Sequence, residues 1–168
     1  MLNSYLKALY GEGDWVRDFA NNQIYLNRTL IEDSQLNIEE VRRKASDFII
    51  NSDGVSYAIP ANDLAHNTFN DGMKFLMQNS FHPKRSGDIM ISLKPGWLND
   101  ISYSSDHNSG YNYDTHVPLL WYGWKIKKQI ITSPTFSKDI APTICGMLKY
   151  PLPAGSTGNP IYEINERK

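Results

Sequence analysis

The sequence predicts a mixed α/β or α+β fold, and three observations carry that expectation. Apolar residues recur at helical spacing in several segments, most clearly between Asn37 and Ile49. Short apolar or alternating runs, punctuated by Gly, Pro and Asn, lie between them as strands do. The two kinds of segment alternate without strict β-α-β units. The 168 residues are enough for one domain with a real core, and 40% apolar with 21% charged residues is the balance of an ordinary globular chain.

Leu2 to Tyr10 has Leu2, Tyr5, Leu6 and Leu9 at helical spacing, and Gly11 and Gly13 end it. Trp15 to Phe19 and Gln23 to Leu26 are expected to form a hairpin, because Asn21-Asn22 tolerates the positive φ angles of a tight turn. Asn37 caps the next helix, Glu39 and Glu40 sit at its positive end, and Val41, Ala45, Phe48 and Ile49 form one stripe. Asp53-Gly54 turns the chain into a strand, Val55 to Ile59, which Pro60 stops. Asn67 to Gln78 is expected to be a helix with Phe69, Met73, Leu76 and Met77 inward. After a polar turn at Pro83 to Gly87, Asp88 to Leu93 is a buried strand. Leu98 to Asp114 has no period and is a long loop, so function is expected there. Val117 to Tyr122 is expected to be a second buried strand and Trp124 to Ile131 an edge ribbon. Lys138 to Leu148 is a helix with Ile140, Ile144 and Met147 or Leu148 inward, followed by an irregular Pro/Gly-rich tail.

Net charge is −1 with acids and bases interspersed, which argues against nucleic acid and membrane surfaces as partners. No apolar run approaches the length of a spanning helix, and the first residues lack the charged-then-apolar plan of a signal peptide. The single cysteine, Cys145, lies in the apolar run IAPTICGML and is expected to pack rather than react. His66 and His82 stand in polar surface contexts. Lys84 and Arg85 read as solvated turn charges, and Tyr111, Tyr113, Trp121 and Tyr122 as packing residues before a ligand pocket.

The chemistry concentrates in SSDHNSGYNYDTHVPLLWYG, Ser104 to Gly123. His107 and His116 lie on a loop that leads into an apolar run, and strand ends are where α/β enzymes hold metals and catalytic groups. Neutral imidazole is a good zinc ligand, and Asp106 and Asp114 are candidate ligands or carboxylates that orient a ring through its other nitrogen.

HNSGYNYDTHVPLLWYG resembles the closing active-site segment of bacterial zinc-dependent alkaline phosphatases of the phosphate-irrepressible type, in the alkaline phosphatase and nucleotide pyrophosphatase superfamily. SKDIAPTICGMLKYPLPAGSTGNPI resembles that family's last helix and later G-x-P, and RSGDIMISLKPGWL its preceding core strand. The resemblance covers about the second half of the chain in order. It implies a mixed α/β chain, the C-terminal portion of an alkaline-phosphatase-like fold with a central sheet flanked by helices, and residues 1–81 as an insertion-like segment of helices and a hairpin. Residues 82–168 would then hold the core strands, the metal-site loop and the C-terminal helix, the whole making a single or partial domain. It further implies two zinc ions, a Thr or Ser nucleophile forming a phospho-enzyme, phosphate monoester substrates and an exported, periplasmic parent. His107 aligns with the late zinc-ligand histidine. His116 belongs to the same motif as an alternative ligand or a supporting residue, beside Asp106 and Asp114. Asn108 stands where the family usually has Gly.

Other family motifs are not found in order. Asp63-Leu64-Ala65-His66 is one residue short of Asp-x-x-x-His, and Asp106-His107-Asn108 only mimics Asp-His-Gly. The expected function is therefore a C-terminal piece that contributes one histidine ligand, lacks the nucleophile, and needs an N-terminal part as partner to hydrolyse anything. The alternatives are a stand-alone ligand-binding module derived from that fold, or a piece of a sister phosphodiesterase or sulfatase.

Overall fold

The computed structural model describes residues 1–99, 109–123 and 126–165. The chain divides into two compact units, Met1–Val117 and Pro118–Lys168.

The first unit is a mixed α/β layer built on a four-stranded antiparallel sheet of order β1-β2-β4-β3. Helix α1 spans Leu2–Tyr10, and Gly11 closes it at φ 95. Strands β1 (Val16–Ala20) and β2 (Gln23–Leu26) make the expected hairpin, with Asn21 and Asn22 at φ 51 and 58. Helix α2 (Arg28–Asp33) is an element the sequence reading omitted. Its six residues are too few for a period to show, and its one signal is Asn27, whose side chain accepts from the Leu30 amide. Helix α3 (Ile38–Ile49) starts where predicted, with the Asn37 side chain accepting from the Glu39 and Glu40 amides.

Strand β3 (Val55–Pro60) passes at Pro60 into helix α4 (Ala61–His66), and helix α5 spans Gly72–Ser80. The predicted Asn67–Gln78 helix is thus corrected. A short helix precedes it, and residues 67–71 are a non-helical link of cap- and turn-forming side chains. Gln78 fastens that link: its amide donates to the Leu64 and Asn67 carbonyls, and its oxygen accepts from the Phe69 amide.

Strand β4 (Ile89–Leu93) is central and nearly all buried. Successive side chains of a strand face opposite ways. Ile89 and Ile91 join a core with Leu6, Trp15, Ile31 and Val41, while Met90 joins a second with Ile59, Leu64 and Met77. At the head of β4, Asp88 is 1% exposed. Its carboxylate accepts from the Leu26 amide at 2.9 Å, Arg28 Nε at 3.0 Å and Arg42 Nη2 at 2.6 Å. One buried charge therefore ties β2, α2 and α3 to the central strand.

In the second unit a 3-10 turn, Ser137–Asp139, opens helix α7 (Ile140–Leu148) after helix α6 of the first unit (Asn112–Thr115), and helix α8 spans Tyr162–Asn165. The D-I-A-P-T and G-x-P segments form one clasp. Asp139 Oδ2 accepts from the Phe136 amide at 2.9 Å and Oδ1 from the Asn159 amide at 2.8 Å. Thr143 Oγ1 donates to the Asp139 carbonyl and accepts from the Ile161 amide at 2.9 Å. A Cβ on Gly158 would lie 2.1 Å from the Lys138 carbonyl oxygen, so only glycine lets the two segments of the clasp approach.

Three expectations fail in and beside this unit. Residues 117–122 form no strand: a strand needs a neighbour's ladder of hydrogen bonds, and no described residue pairs with this run. Trp124 and Lys125 lie outside the described residues, and 126–131 form no ribbon. Helix α7 buries Pro142 and Thr143, held by the clasp, and leaves Ile144 and Leu148 exposed instead of inward.

Candidate active-site loop

Strand β4 ends at Leu93, and the chain turns sharply beyond it. The Trp97 amide donates to the Lys94 carbonyl, Gly96 takes φ 78, and the Trp97 ring covers Gly54, where a Cβ would come within 2.2 Å of it. The Tyr111 hydroxyl donates to the Leu93 carbonyl at 2.9 Å, and the Tyr113 hydroxyl accepts from the Gly96 amide at 3.2 Å. Their rings stack at 5.8 Å. The two tyrosines thereby hang the Y-x-Y-D-T-H stretch from the end of the central strand.

Asp114, half-buried, does not face solvent as a spare carboxylate. It accepts from the amide of Ser109 at 3.2 Å and from the Ser109 hydroxyl. Ser109 lies two residues beyond His107 in the sequence. His116 closes α6, its amide donating to the Asn112 carbonyl at 2.9 Å, and its side chain is exposed. His107 and Asp106 lie outside the described residues. Among the described residues no three His, Cys, Asp or Glu side chains gather to hold a metal. A catalytic zinc takes three protein ligands, and the described residues do not fit one by themselves.

A cavity of about 570 Å³ opens beside this loop, between the β1–β2 turn, α5 and the end of β4. Met73, Met90 and Trp97 give it apolar walls, and Asn21, Lys94 and Asp114 supply polar groups. Gly110 seats the loop against α5, since a Cβ there would stand 2.7 Å from Met73 Sδ. The remaining histidines do structural or solvent-facing work: His82 is exposed and its Nδ1 accepts from the Lys84 amide, and His66 is exposed at the end of α4. The sequence reading overlooked the Arg28–Asp88–Arg42 cluster. Its one signal is a charged residue directly before the apolar run Ile89-Met90-Ile91.

No family model matches the chain. It is 33% identical over 164 residues to alkaline phosphatase PafA of Elizabethkingia meningoseptica, an alignment covering 97% of this chain and 30% of that protein. The chain is a relative of the bacterial alkaline phosphatases. A protein of Myroides odoratus named calcium-transporting ATPase is also 33% identical, over 99% of this chain and 31% of its own length. The crystal structure of wild-type PafA superposes with a TM-score of 0.83 at 32% identity, covering 97% of this chain and 32% of that one. A multiply substituted PafA superposes at 0.87 with 31% of it covered. The alkaline-phosphatase-like fold expected from the sequence is thus the one found, and the chain spans about a third of the length of the relatives it matches.

Proposed function

We propose that this chain is the C-terminal part of an exported, zinc-dependent phosphate monoester hydrolase, and that His107 supplies one zinc ligand. The observation that carries the reading is the match of 97% of this chain to 30% of PafA, joined to the Y-D-T-H-V-P-L segment that follows His107. In the whole enzyme two zinc ions would activate the nucleophile and stabilise charge on the leaving oxygen. This chain's contribution is positional. Tyr111 and Tyr113 fix the loop to β4, Asp114 holds Ser109, two residues along the sequence from His107, and His116 and Asp106 are supporting or alternative ligands. The nucleophile and the other ligands belong to the two thirds of the relatives that this chain does not span, so the chain alone hydrolyses nothing.

The test has two arms. The chain with added zinc is expected to leave a chromogenic phosphate monoester untouched, with or without His107→Ala. Grafted in place of the matched third of PafA, it is expected to support zinc-dependent hydrolysis that His107→Ala abolishes. Turnover by the chain alone would overturn the claim of missing machinery. A folded chimera that hydrolyses equally well with His107→Ala would overturn the ligand assignment.

A second reading, a stand-alone binding module, is favoured by one observation. Met1–Val117 has a core on both faces of its sheet and a cavity of about 570 Å³. It requires ligand affinity from the chain alone, measurable by calorimetry with phosphate esters, and no gain of activity in the chimera.

A further inference from the structure

The cavity of about 570 Å³ lies within the Met1–Val117 unit and has the size of a small-molecule site, about 300–1,000 Å³. Three of the chain's five methionines, Met73, Met77 and Met90, line it. Methionine ordinarily fills gaps in a core, yet the space these three border stays open. Trp97 supplies a second wall. A Cβ on Gly54 would stand 2.2 Å from Cε3 of its ring and 2.7 Å from both Cδ2 and Cζ3, the spacing of an approach over the face and not at the edge. Trp97 is nonetheless 51% exposed, so the indole lies on the Gly54 backbone by one face and keeps the other open. Rings stack on such a face, and thioether sulfur sits favourably at a ring edge. The polar side chains around the cavity are largely committed. Gln23 Oε1 accepts from the Gly87 amide at 2.7 Å, and the Ser80 hydroxyl donates to the Met77 carbonyl at 2.9 Å. Of the two charged residues that line the cavity, Asp114 directs its carboxylate to the Ser109 amide and hydroxyl. The other, Lys94, is exposed and has no ion-pair partner among the described residues. A sugar would find few free hydrogen-bonding groups here. A flat apolar group carrying negative charge finds a ring face, thioethers and an ammonium.

We propose that this cavity takes the aromatic part of an aryl phosphate ester, stacked on the open face of Trp97, with Lys94 attracting the anionic group at the rim. That the ester is a substrate rests on the phosphatase reading; the pocket itself does not. The two meet in the sequence, because the segment that carries the candidate ligand His107 also supplies Ser109, Gly110 and Tyr113 to the cavity wall.

The experiment is titration calorimetry of the chain with 1-naphthyl phosphate, 1-naphthol and ethyl phosphate. The naphthyl ester is expected to bind with a dissociation constant below about 1 mM, and ethyl phosphate at least tenfold more weakly. Trp97→Leu should weaken both naphthyl ligands about fivefold. Lys94→Gln, at an exposed position, should weaken the ester and not the naphthol. Should Trp97→Leu alter the circular dichroism, Leu76→Asp, at an exposed position of the wall, takes its place with the same expectation. No binding of the naphthyl ester would overturn the proposal, as would binding that these substitutions leave unchanged, or equal affinity for ethyl phosphate. In the PafA chimera, Trp97→Leu should raise KM for 1-naphthyl phosphate about fivefold, keep kcat within twofold, and narrow the preference over ethyl phosphate. An equal loss on both esters would overturn the pocket's role in choosing the substrate. An inactive chimera, beside binding by the chain that follows the substitutions, fails the phosphatase reading and leaves the pocket standing.

Discussion

Replacing Asp88 with alanine tests whether one buried charge organises the first unit. The carboxylate is 1% exposed, lies at the head of the central strand, and accepts from two arginines and a buried amide. Removing one side of a buried, hydrogen-bonded ion pair costs about 3–5 kcal/mol, because the partner is left in a dry place. Arg28 is 52% exposed and re-solvates when released, so its share stays within the surface range of about 0–1 kcal/mol. Arg42 is 15% exposed and bonds through both Nε and Nη2, which puts its removal near the value for hydrogen bonds to charged groups, about 1.5–3 kcal/mol. The Leu26 amide loses its acceptor in Asp88→Ala alone, which places that variant highest. The expected order is Asp88→Ala above Arg42→Ala above Arg28→Ala. Urea unfolding at neutral pH, followed by far-ultraviolet circular dichroism, reads all three. A loss below about 1 kcal/mol for Asp88→Ala, or an Arg28→Ala loss equal to that of Arg42→Ala, would refute the reasoning.

Other expectations concern the clasp and the hairpin. The Asn159 and Phe136 amides hold the Asp139 carboxyl below its ordinary value of 3.8. Its contribution to stability is therefore complete above that value and is lost as pH falls through the depressed one. The Asn159 amide, followed by hydrogen exchange corrected for intrinsic rate, should lose protection in that acid range, and Asp139→Asn should flatten the dependence. Gly158→Ala drives a methyl group into the backbone of Lys138 and Asp139 and should destabilise the tail by about 1–3 kcal/mol, seen as earlier proteolysis beyond Leu148. Asn21→Val places a β-branched residue at φ 51 and should lower stability by about 1–2 kcal/mol in thermal unfolding, whereas Asn21→Gly should not. Equal melting of those two variants would contradict the turn assignment.

What the sequence disclosed follows from the range of the forces involved. The hairpin and helix α3 are written in residues adjacent to the events they cause: Asn21-Asn22 supplies the turn and Asn37 the cap. The buried strand β4 is legible because a strand buried on both faces reads as a nearly continuous apolar run, here broken only by Ser92. Pattern also read 117–122 as interior, but composition records that a segment is to be buried and not which surface buries it. The link at 67–71 escaped because Gln78, seven or more residues away, takes up its backbone groups. In the candidate loop, the motif drew attention to Tyr111 to His116, the stretch that two tyrosine hydroxyls tie to the end of β4. It did not disclose that Asp114 serves Ser109, since a carboxylate's partner is a matter of geometry. His107 and Asp106 lie outside the described residues.

The clasp also governs what evolution and engineering can do to the tail. Asp139 and Thr143 secure Asn159 and Ile161 across the intervening residues, so both ends of that excursion are pinned whatever lies between. The entropy of closing such a loop grows only logarithmically, and doubling its length costs about 0.6 kcal/mol. The turn at Pro153 to Ser156 is held by a single backbone bond, and Ala154 and Gly155 are exposed. Length variation among relatives should gather there, and an epitope tag inserted after Ala154 would be tolerated where one inserted at Gly158 would not.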